Sequence, residues 1–448
     1  MNNKLSTSAS IAIGFMLFAL FFGAGNLIFP AQLGQYSGDH VWTASFGFLI
    51  TGVGLPLLGI LAIGFSGSKN LQELSSRVHP LYGLSFTILL YLTIGPFFAA
   101  PRTGTVAFEV GIASFVPDGS QSIALLIFTL IFFAIAYFFS AYPGKLVNNV
   151  GKIMAPILVF LLVSLLLVVI FKPMGPIGSP HESYETNAFI NGFLEGYNTM
   201  DALASLVFGI IVIQAIRSFG VTEKRKIFTE IAKSGLVAII LLAVIYVGIA
   251  YLGATSTSVL ELFDNGGPVL SGTAGYYFGT FGQILLAIVI TLACLTTAIG
   301  LITANAEYFH TLLPRISYKT LVMFFSVITF IFANFGLTNI ITFSLPVLMF
   351  LYPLAMVIMI LTFASPFFNH KQSVYVATVG ITFIISIFDG VKALYQSLGF
   401  EDAGAFQPII TFFNKYLPLS SEGLGWILPA LVVMIITSII ARTRQTAQ

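Results

Sequence analysis

Apolar residues run along this chain in blocks of about 20, the length a helix needs to cross the hydrocarbon core of a bilayer. Short polar breaks separate the blocks and predict about twelve spans, near 9–30, 41–66, 80–102, 121–140, 150–171, 190–215, 234–254, 276–303, 318–335, 338–364, 372–389 and 423–441. The third has room to extend toward Val116. Runs this long exclude a barrel, whose strands are about ten residues long and alternate polar with apolar. Segment 67–79 (GSKNLQELSSRVH) reads as a short polar helix or loop at the interface, and 172–190, rich in Pro, Gly and Ser, as a loop. The expected fold is an all-α membrane protein with a single transmembrane domain over 1–448 and no separate soluble domain.

Composition agrees with that pattern. The chain is 57% hydrophobic and 8% charged, whereas soluble domains carry about 25% charged residues. A net charge of +2, with Lys and Arg scattered, gives no footprint for nucleic acid. Cys294, the single cysteine, excludes an internal disulfide and reads as inert packing. The five histidines lie near span ends and suggest no metal cluster. The amino terminus, MNNKLSTSAS, runs into its apolar block without a small-residue cleavage site, so the first helix is expected to be retained.

Positive charge sets the expected orientation. With both termini in the cytoplasm, Lys4, Lys69, Arg77, Lys145, Lys152, Arg217, Lys224, Arg225, Lys226, Lys233, Arg315, Lys319, Lys371, Arg442 and Arg444 face inward. Lys172, Lys392 and Lys415 face outward, and Arg102 is left within the membrane. The expected location is a bacterial inner membrane.

Two spans are interrupted at matching positions. Span one contains FFGAGNLIFP (Phe21 to Pro30), and span six contains GYNTMDALASLVFG (Gly196 to Gly209), with Asn198, Thr199 and Asp201 at comparable depth. The breaks fall in corresponding places of two successive five-helix units, about 9–171 and 190–364, which leaves additional helices at about 372–441. Paired interruptions of this kind point to a transporter binding site near the midplane. Irregular backbone at that depth must be buried or line a cavity, because lipid satisfies no free N–H or C=O. Half-helix amino termini suit a carboxylate, and unwound carbonyls suit an ammonium group or small cation. A zwitterionic amino acid satisfies both.

Plainer roles exist for each residue. Gly23 and Gly25 are also what close helix packing uses. Asp201 in an apolar span costs roughly 2.5–3.5 kcal/mol on insertion scales; it reads either as a cap for the second half of span six or as a ligand or proton contact. Thr296 and Thr297, adjacent in span eight, either supply hydroxyls to a sodium ion, which takes about five or six oxygens, or bond back to the preceding turn. Glu195 reads as a proton site or a buried hydrogen-bond partner. Arg102 and Glu109, seven apart, share a helix face, and a gate or structural ion pair, rather than substrate contact, is expected of them.

The stretches FFGAGNLIFPAQLG, GPFFAAPRTGTVAFEVG, YNTMDALASLVFG and LACLTTAIGL with NAEYF resemble the bacterial branched-chain amino acid carrier family (BrnQ type), nearly end to end. That family is assigned to the amino acid–polyamine–cation superfamily. The resemblance implies a LeuT-like fold of two inverted five-helix repeats, with helices 1 and 6 broken and two further C-terminal helices. It also implies import of leucine, isoleucine or valine by symport with sodium or protons, with no other cofactor. In such a site the carbonyls of Ala19, Phe22 and Ala293 and the hydroxyls of Thr296 and Thr297 surround a cation. Gly23, Ala24, Gly25 and Asn26 hold the substrate carboxylate, while Phe21 and the break at Asn198, Thr199 and Asp201 accept the ammonium. The rival readings are a carrier for another small neutral amino acid and a channel, which commonly needs symmetric subunits around an open pore. An enzyme lacks convergent acids, bases or metal ligands here, and an ATP-driven pump lacks a phosphate-binding loop.

Overall fold

The structure is a computed structural model and describes residues 5–142, 145–181, 183–400 and 403–446. Lys4 lies outside the described residues, as do the side chains of Lys145, Lys152 and Arg444. The described residues form helices and turns with no strand. Among them, eight helical runs are long and apolar enough to cross a membrane, and Thr7–Phe21, Val159–Phe171, Tyr318–Ala333 and Ile427–Thr443 are shorter apolar helices.

The first span is two helices, α1 (Thr7–Phe21) and α2 (Gly25–Ser37), with 22–24 unwound between them. α3 (Val41–Leu49) continues through a π turn into α4 (Leu55–Ser66). The polar segment that follows folds as α5 (Leu71–Ser75), capped where Asn70 accepts from the Glu73 N–H at 2.8 Å. α6 (Pro80–Leu92) and α7 (Ala99–Gly111) are joined by a π turn at Gly95–Pro96, so the third span does run on past residue 102. Next come α8 (Gln121–Ala141) and α9 (Lys145–Phe171).

The sixth span is again divided, into α10 (Tyr184–Glu195), a 3-10 turn at Gly196–Thr199, and α11 (Asp201–Ser218). α12 (Lys224–Ser256) follows, and then α13 (Gly266–Leu312), which turns sharply at Gly279 (φ 60°). The helix therefore starts ten residues before the predicted boundary at 276, because Asn265 caps it by accepting from the Gly267 N–H at 2.9 Å. α14 (Tyr318–Ala333), α15 (Leu337–Ala364), α16 (Gln372–Ser397), a short α17 (Gln407–Tyr416) and α18 (Ile427–Thr446) complete the chain. α17 falls between the predicted spans 372–389 and 423–441, since ten residues are too few to register as a span.

Polarity is inverted relative to a soluble domain. Large apolar side chains such as Phe46, Phe160 and Phe281 stand outward, while Asn26, Arg102 and Asp201 are buried. The helices meet through small residues, as lipid-embedded helices do when packing rather than the hydrophobic effect joins them. Both halves of the first span pack on α12, and both halves of the sixth pack along α3 and α4. A Cβ on Gly34 of α2 would lie 2.0 Å from the Ala250 carbonyl of α12, and one on Gly253 of α12 would lie 2.1 Å from the Ala31 carbonyl of α2. Gly47 and Gly192 make the corresponding contact between α3 and α10, with hypothetical Cβ atoms 2.1 Å and 1.9 Å from the Phe189 and Ala44 carbonyls.

These contacts generate a prediction. Gly253→Val must push two backbones apart and is expected to destabilise the purified protein by about 3 kcal/mol or more, read as a lower thermal unfolding midpoint in detergent. Gly300→Val, where nothing lies within 4 Å, is expected to leave the midpoint unchanged. Equal midpoints for the two variants would contradict the packing described.

Candidate functional site

The site begins where α1 ends. The Gly23 N–H donates to Asn26 Oδ1 at 2.9 Å and not to the Ala19 carbonyl, which would be its partner in a continuous helix. That exchange frees the Ala19 carbonyl. It also turns Asn26, 2% exposed, into a hinge post between the two half-helices. Its Nδ2 donates to Asp201 Oδ2 on α11 and to the Tyr246 hydroxyl on α12. Tyr246 in turn donates to Asp201 Oδ2 at 3.3 Å.

The second break is built around Met200, whose φ of 61° puts a non-glycine residue in the left-handed region. Such a conformation is held only where surrounding structure demands it. Thr199 stitches the turn, donating to the Gly196 carbonyl at 2.9 Å and accepting from the Asp201 N–H at 3.3 Å. The capping role considered for Asp201 is corrected here. Met200 occupies the N-cap and makes no side-chain cap bond, while the Asp201 carboxylate reaches sideways to α2 and α12. Its place in the first turn of α11 still sets its charge at the favourable end of the helix dipole.

Arg102 enters from α7. It donates to the Asn198 carbonyl and, at 2.7 Å, to the Ser344 hydroxyl of α15. The guanidinium lies 5.1 Å from the centre of the Phe29 ring of α2. Its Nε has no partner. The expected Arg102–Glu109 ion pair is not formed: among the described residues Arg102 makes no salt bridge. Seven residues separate the two along α7 by about 10 Å, and Glu109 packs instead against Gly267 in the first turn of α13. Glu195, half-buried at the end of α10, lies within reach of the Asn198 side chain and of the Arg102 charge.

Span eight passes the first break. Thr296 and Thr297 both donate to the Ala293 carbonyl, at 2.8 and 3.1 Å, which is the local back-bonding common for threonine in membrane helices. Thr297 also faces the unwound backbone, since a Cβ on Gly23 would sit 3.4 Å from its methyl.

Between these elements lies a cavity of about 50 Å³. Of the residues proposed from sequence, Phe21, Gly23, Ala24, Gly25, Asn26, Arg102, Thr199, Asp201 and Thr297 line it. Ala19, Phe22, Ala293, Thr296, Asn198, Glu195 and Glu109 do not. Sequence reasoning missed Tyr246, Ser344, Phe29 and Met200. The mid-span tyrosine carried a readable signal, because a buried phenol needs a hydrogen-bond partner; Ser344, Phe29 and Met200 carried none.

Loss of the Asn26 amide leaves Gly23 N–H, Asp201 and Tyr246 each short of a bond. Asn26→Ala is therefore expected to lower stability by about 2–4 kcal/mol, and Tyr246→Phe by about 1 kcal/mol, measured as unfolding midpoints in detergent. A Tyr246→Phe protein less stable than Asn26→Ala would overturn this ranking.

Comparison with known proteins completes the assignment. The chain matches the family described as "Branched-chain amino acid transport protein" over residues 6–444. It is 47% identical to the branched-chain amino acid permease BrnQ of Bacillus subtilis over 432 residues, 96% of each chain. It is 48% identical to BraB of the same organism, covering 97% of this chain and 96% of BraB. The BrnQ permease of Escherichia coli is 40% identical, with 98% and 97% covered. Among solved structures, the inward-facing conformation of Mhp1 superposes with a TM-score of 0.61 at 15% identity, covering 97% of this chain and 91% of that one. MhsT in complex with L-phenylalanine superposes with a TM-score of 0.51 at 15% identity, covering 98% and 99%. These two likenesses show the fold alone, that of LeuT-type transporters. This multi-pass membrane protein thus belongs to the branched-chain amino acid transport family, whose named relatives are permeases and carriers and not enzymes.

Proposed function

We propose that this protein imports leucine, isoleucine and valine by symport with a cation, exposing a midplane site alternately to the two sides of a bacterial inner membrane. The observation that carries the reading is the convergence of two unwound helix breaks on one cavity. Its lining joins the polar groups of Asn26, Arg102 and Asp201 to an apolar wall of Phe21, Ile94, Ala204, Phe208 and Leu301. That combination suits a zwitterionic head with a branched aliphatic side chain. The first-turn N–H groups of α2, at Gly25 and Asn26, face the carboxylate as helix amino termini do. Thr199 and Asp201 face the ammonium.

Twelve crossings in a five-plus-five inverted repeat, with two added helices and both termini cytoplasmic, accompany this reading. The repeat is supported by the reciprocal way each divided span lies along the second helix of the other unit. A free volume of about 50 Å³, little more than a water or two, is too small for an amino acid. Loading therefore requires the halves to part, which the unwound segments at 22–24 and Met200 permit.

The coupling cation is sodium or a proton. The freed Ala19 carbonyl, the Phe22 and Ala293 carbonyls and the hydroxyls of Thr296 and Thr297 form the oxygen set for sodium, once the hydroxyl protons turn from Ala293. Glu195 or Asp201 serves in the protonic case. A carrier for another small neutral amino acid differs only in the fit of the apolar wall, and a channel, which commonly takes symmetric subunits around an open pore, is disfavoured by two unlike breaks in one chain.

Uptake of labelled leucine into proteoliposomes, with sodium and proton gradients imposed separately, tests the proposal. Saturable uptake accelerated by one of the gradients is expected, and uptake indifferent to both defeats the coupling. Thr297→Ala is expected to raise the sodium concentration for half-maximal uptake by about tenfold, the loss of one oxygen ligand at about 1.4 kcal/mol. An unchanged sodium dependence removes Thr297 from the cation site.

A further inference from the structure

We propose that Arg102 is the residue that reads the substrate's carboxylate, so that this carrier recognises its zwitterion with a fixed cation held beside the two helix breaks. The inference rests on the amino acid carrier reading above and names the contact that orients the ligand within it. Arginine stays charged at any physiological pH, and inside a membrane such a charge is paired or functional. Arg102 is 2% exposed, yet it makes no salt bridge among the described residues. Its bonded partners are neutral, the Asn198 carbonyl and the Ser344 hydroxyl. The Asn198 carbonyl belongs to the turn that ends α10, where the helix dipole is negative, and Glu195 in the last turn of α10 stands within reach of the charge without forming an ion pair.

The arrangement is one of readiness. Two of the three guanidinium nitrogens are tied by α15 and the second break, and the Phe29 ring lies 5.1 Å from the group. The third, Nε, is buried without a partner in a side chain that lines the cavity. A donor left bare in a dry site is costly until an acceptor arrives, and a planar guanidinium held in place is suited to a carboxylate. Phe29 stands one turn into α2, so the guanidinium lies beside the helix amino terminus proposed to face the same carboxylate. Asp201 also lines the cavity, held by the neutral donors Asn26 and Tyr246, and forms no salt bridge with Arg102 among the described residues. Arg102 and Asp201 thus line one cavity without pairing, an arrangement that suits a ligand carrying both signs.

The test pairs a change in the protein with a change in the ligand. Leucine and leucinamide differ at the carboxylate and share the ammonium and side chain. Binding of each is measured by competition against labelled leucine on purified wild type, and by ligand-induced thermal shift on Arg102→Gln. In wild type, leucine is expected to bind at least about 100-fold more tightly than leucinamide. In Arg102→Gln, leucine is expected to lose about 10- to 100-fold in affinity while leucinamide changes less than about twofold, so the discrimination collapses. Equal losses for both ligands mean that Arg102 only supports the fold, and that outcome overturns the proposal. So does full retention of leucine affinity.

Should Arg102→Gln show no cooperative unfolding, Ser344→Ala takes its place. It releases one guanidinium nitrogen without removing the charge, and it is expected to weaken leucine about 3- to 10-fold and leucinamide not at all. Equal weakening or no weakening again rejects the proposal. Failure of the carrier reading is separate and visible in wild type, as the absence of any leucine binding.

Discussion

A backbone amide or carbonyl released from a helix inside a membrane has no water to turn to, and each one left unpaired costs several kcal/mol. This chain interrupts two of its helices at that depth, so every freed group must be answered by protein or by ligand. Asn26 answers one of them and joins the two breaks. Its carbonyl oxygen takes the Gly23 N–H, and its amide nitrogen spans to Asp201 and Tyr246. One side chain thus closes the gap in the first break, ties it to the second, and anchors both to α12. The Ala19 carbonyl and the leading amides of α2 are not among the groups it answers.

The surrounding helices hold this arrangement by fit and not by charge. Glycines at 34 and 253, and at 47 and 192, bring backbones so close that a methyl group would collide with a carbonyl. The divided helices are therefore clamped along their lengths while their middles stay open. Within that clamp the polar groups fall into two separate sets, Arg102 with Asn198 and Ser344, and Asp201 with Asn26 and Tyr246. Among the described residues the two side chains form no salt bridge with each other. Kept apart on neutral partners, they leave a polar slot with an aromatic and aliphatic wall.

Much of this was legible in the linear chain. Apolar blocks located the helices because a span must be continuous and long, and Gly23, Gly25 and Asn26 marked one break because together they weaken a helix and are matched by polar residues at the same depth of span six. Asn198, Thr199 and Asp201 marked the other. The errors have physical sources. The Arg102–Glu109 pairing assumed that a shared helix face means contact, but partners on α15 and in the sixth span were nearer to Arg102 than its own neighbour two turns away. The capping role for Asp201 followed from residue preference, whereas Met200 took the cap in a left-handed conformation that no propensity anticipates. Tyr246 and Ser344 sit in runs that look purely apolar, and only the three-dimensional path of α12 and α15 brings them to the site.

The central claim is that the cavity between the two breaks is where the amino acid sits. It is tested most directly by placing a cysteine on its wall, Ala204→Cys, in a Cys294→Ala background, and timing its modification by a small thiol reagent with and without leucine and cation. The account predicts that saturating leucine slows the reaction several-fold, while a cysteine introduced at exposed Ser421 reacts at one rate throughout. Modification at position 204 that proceeds equally fast in the presence and absence of leucine would contradict it.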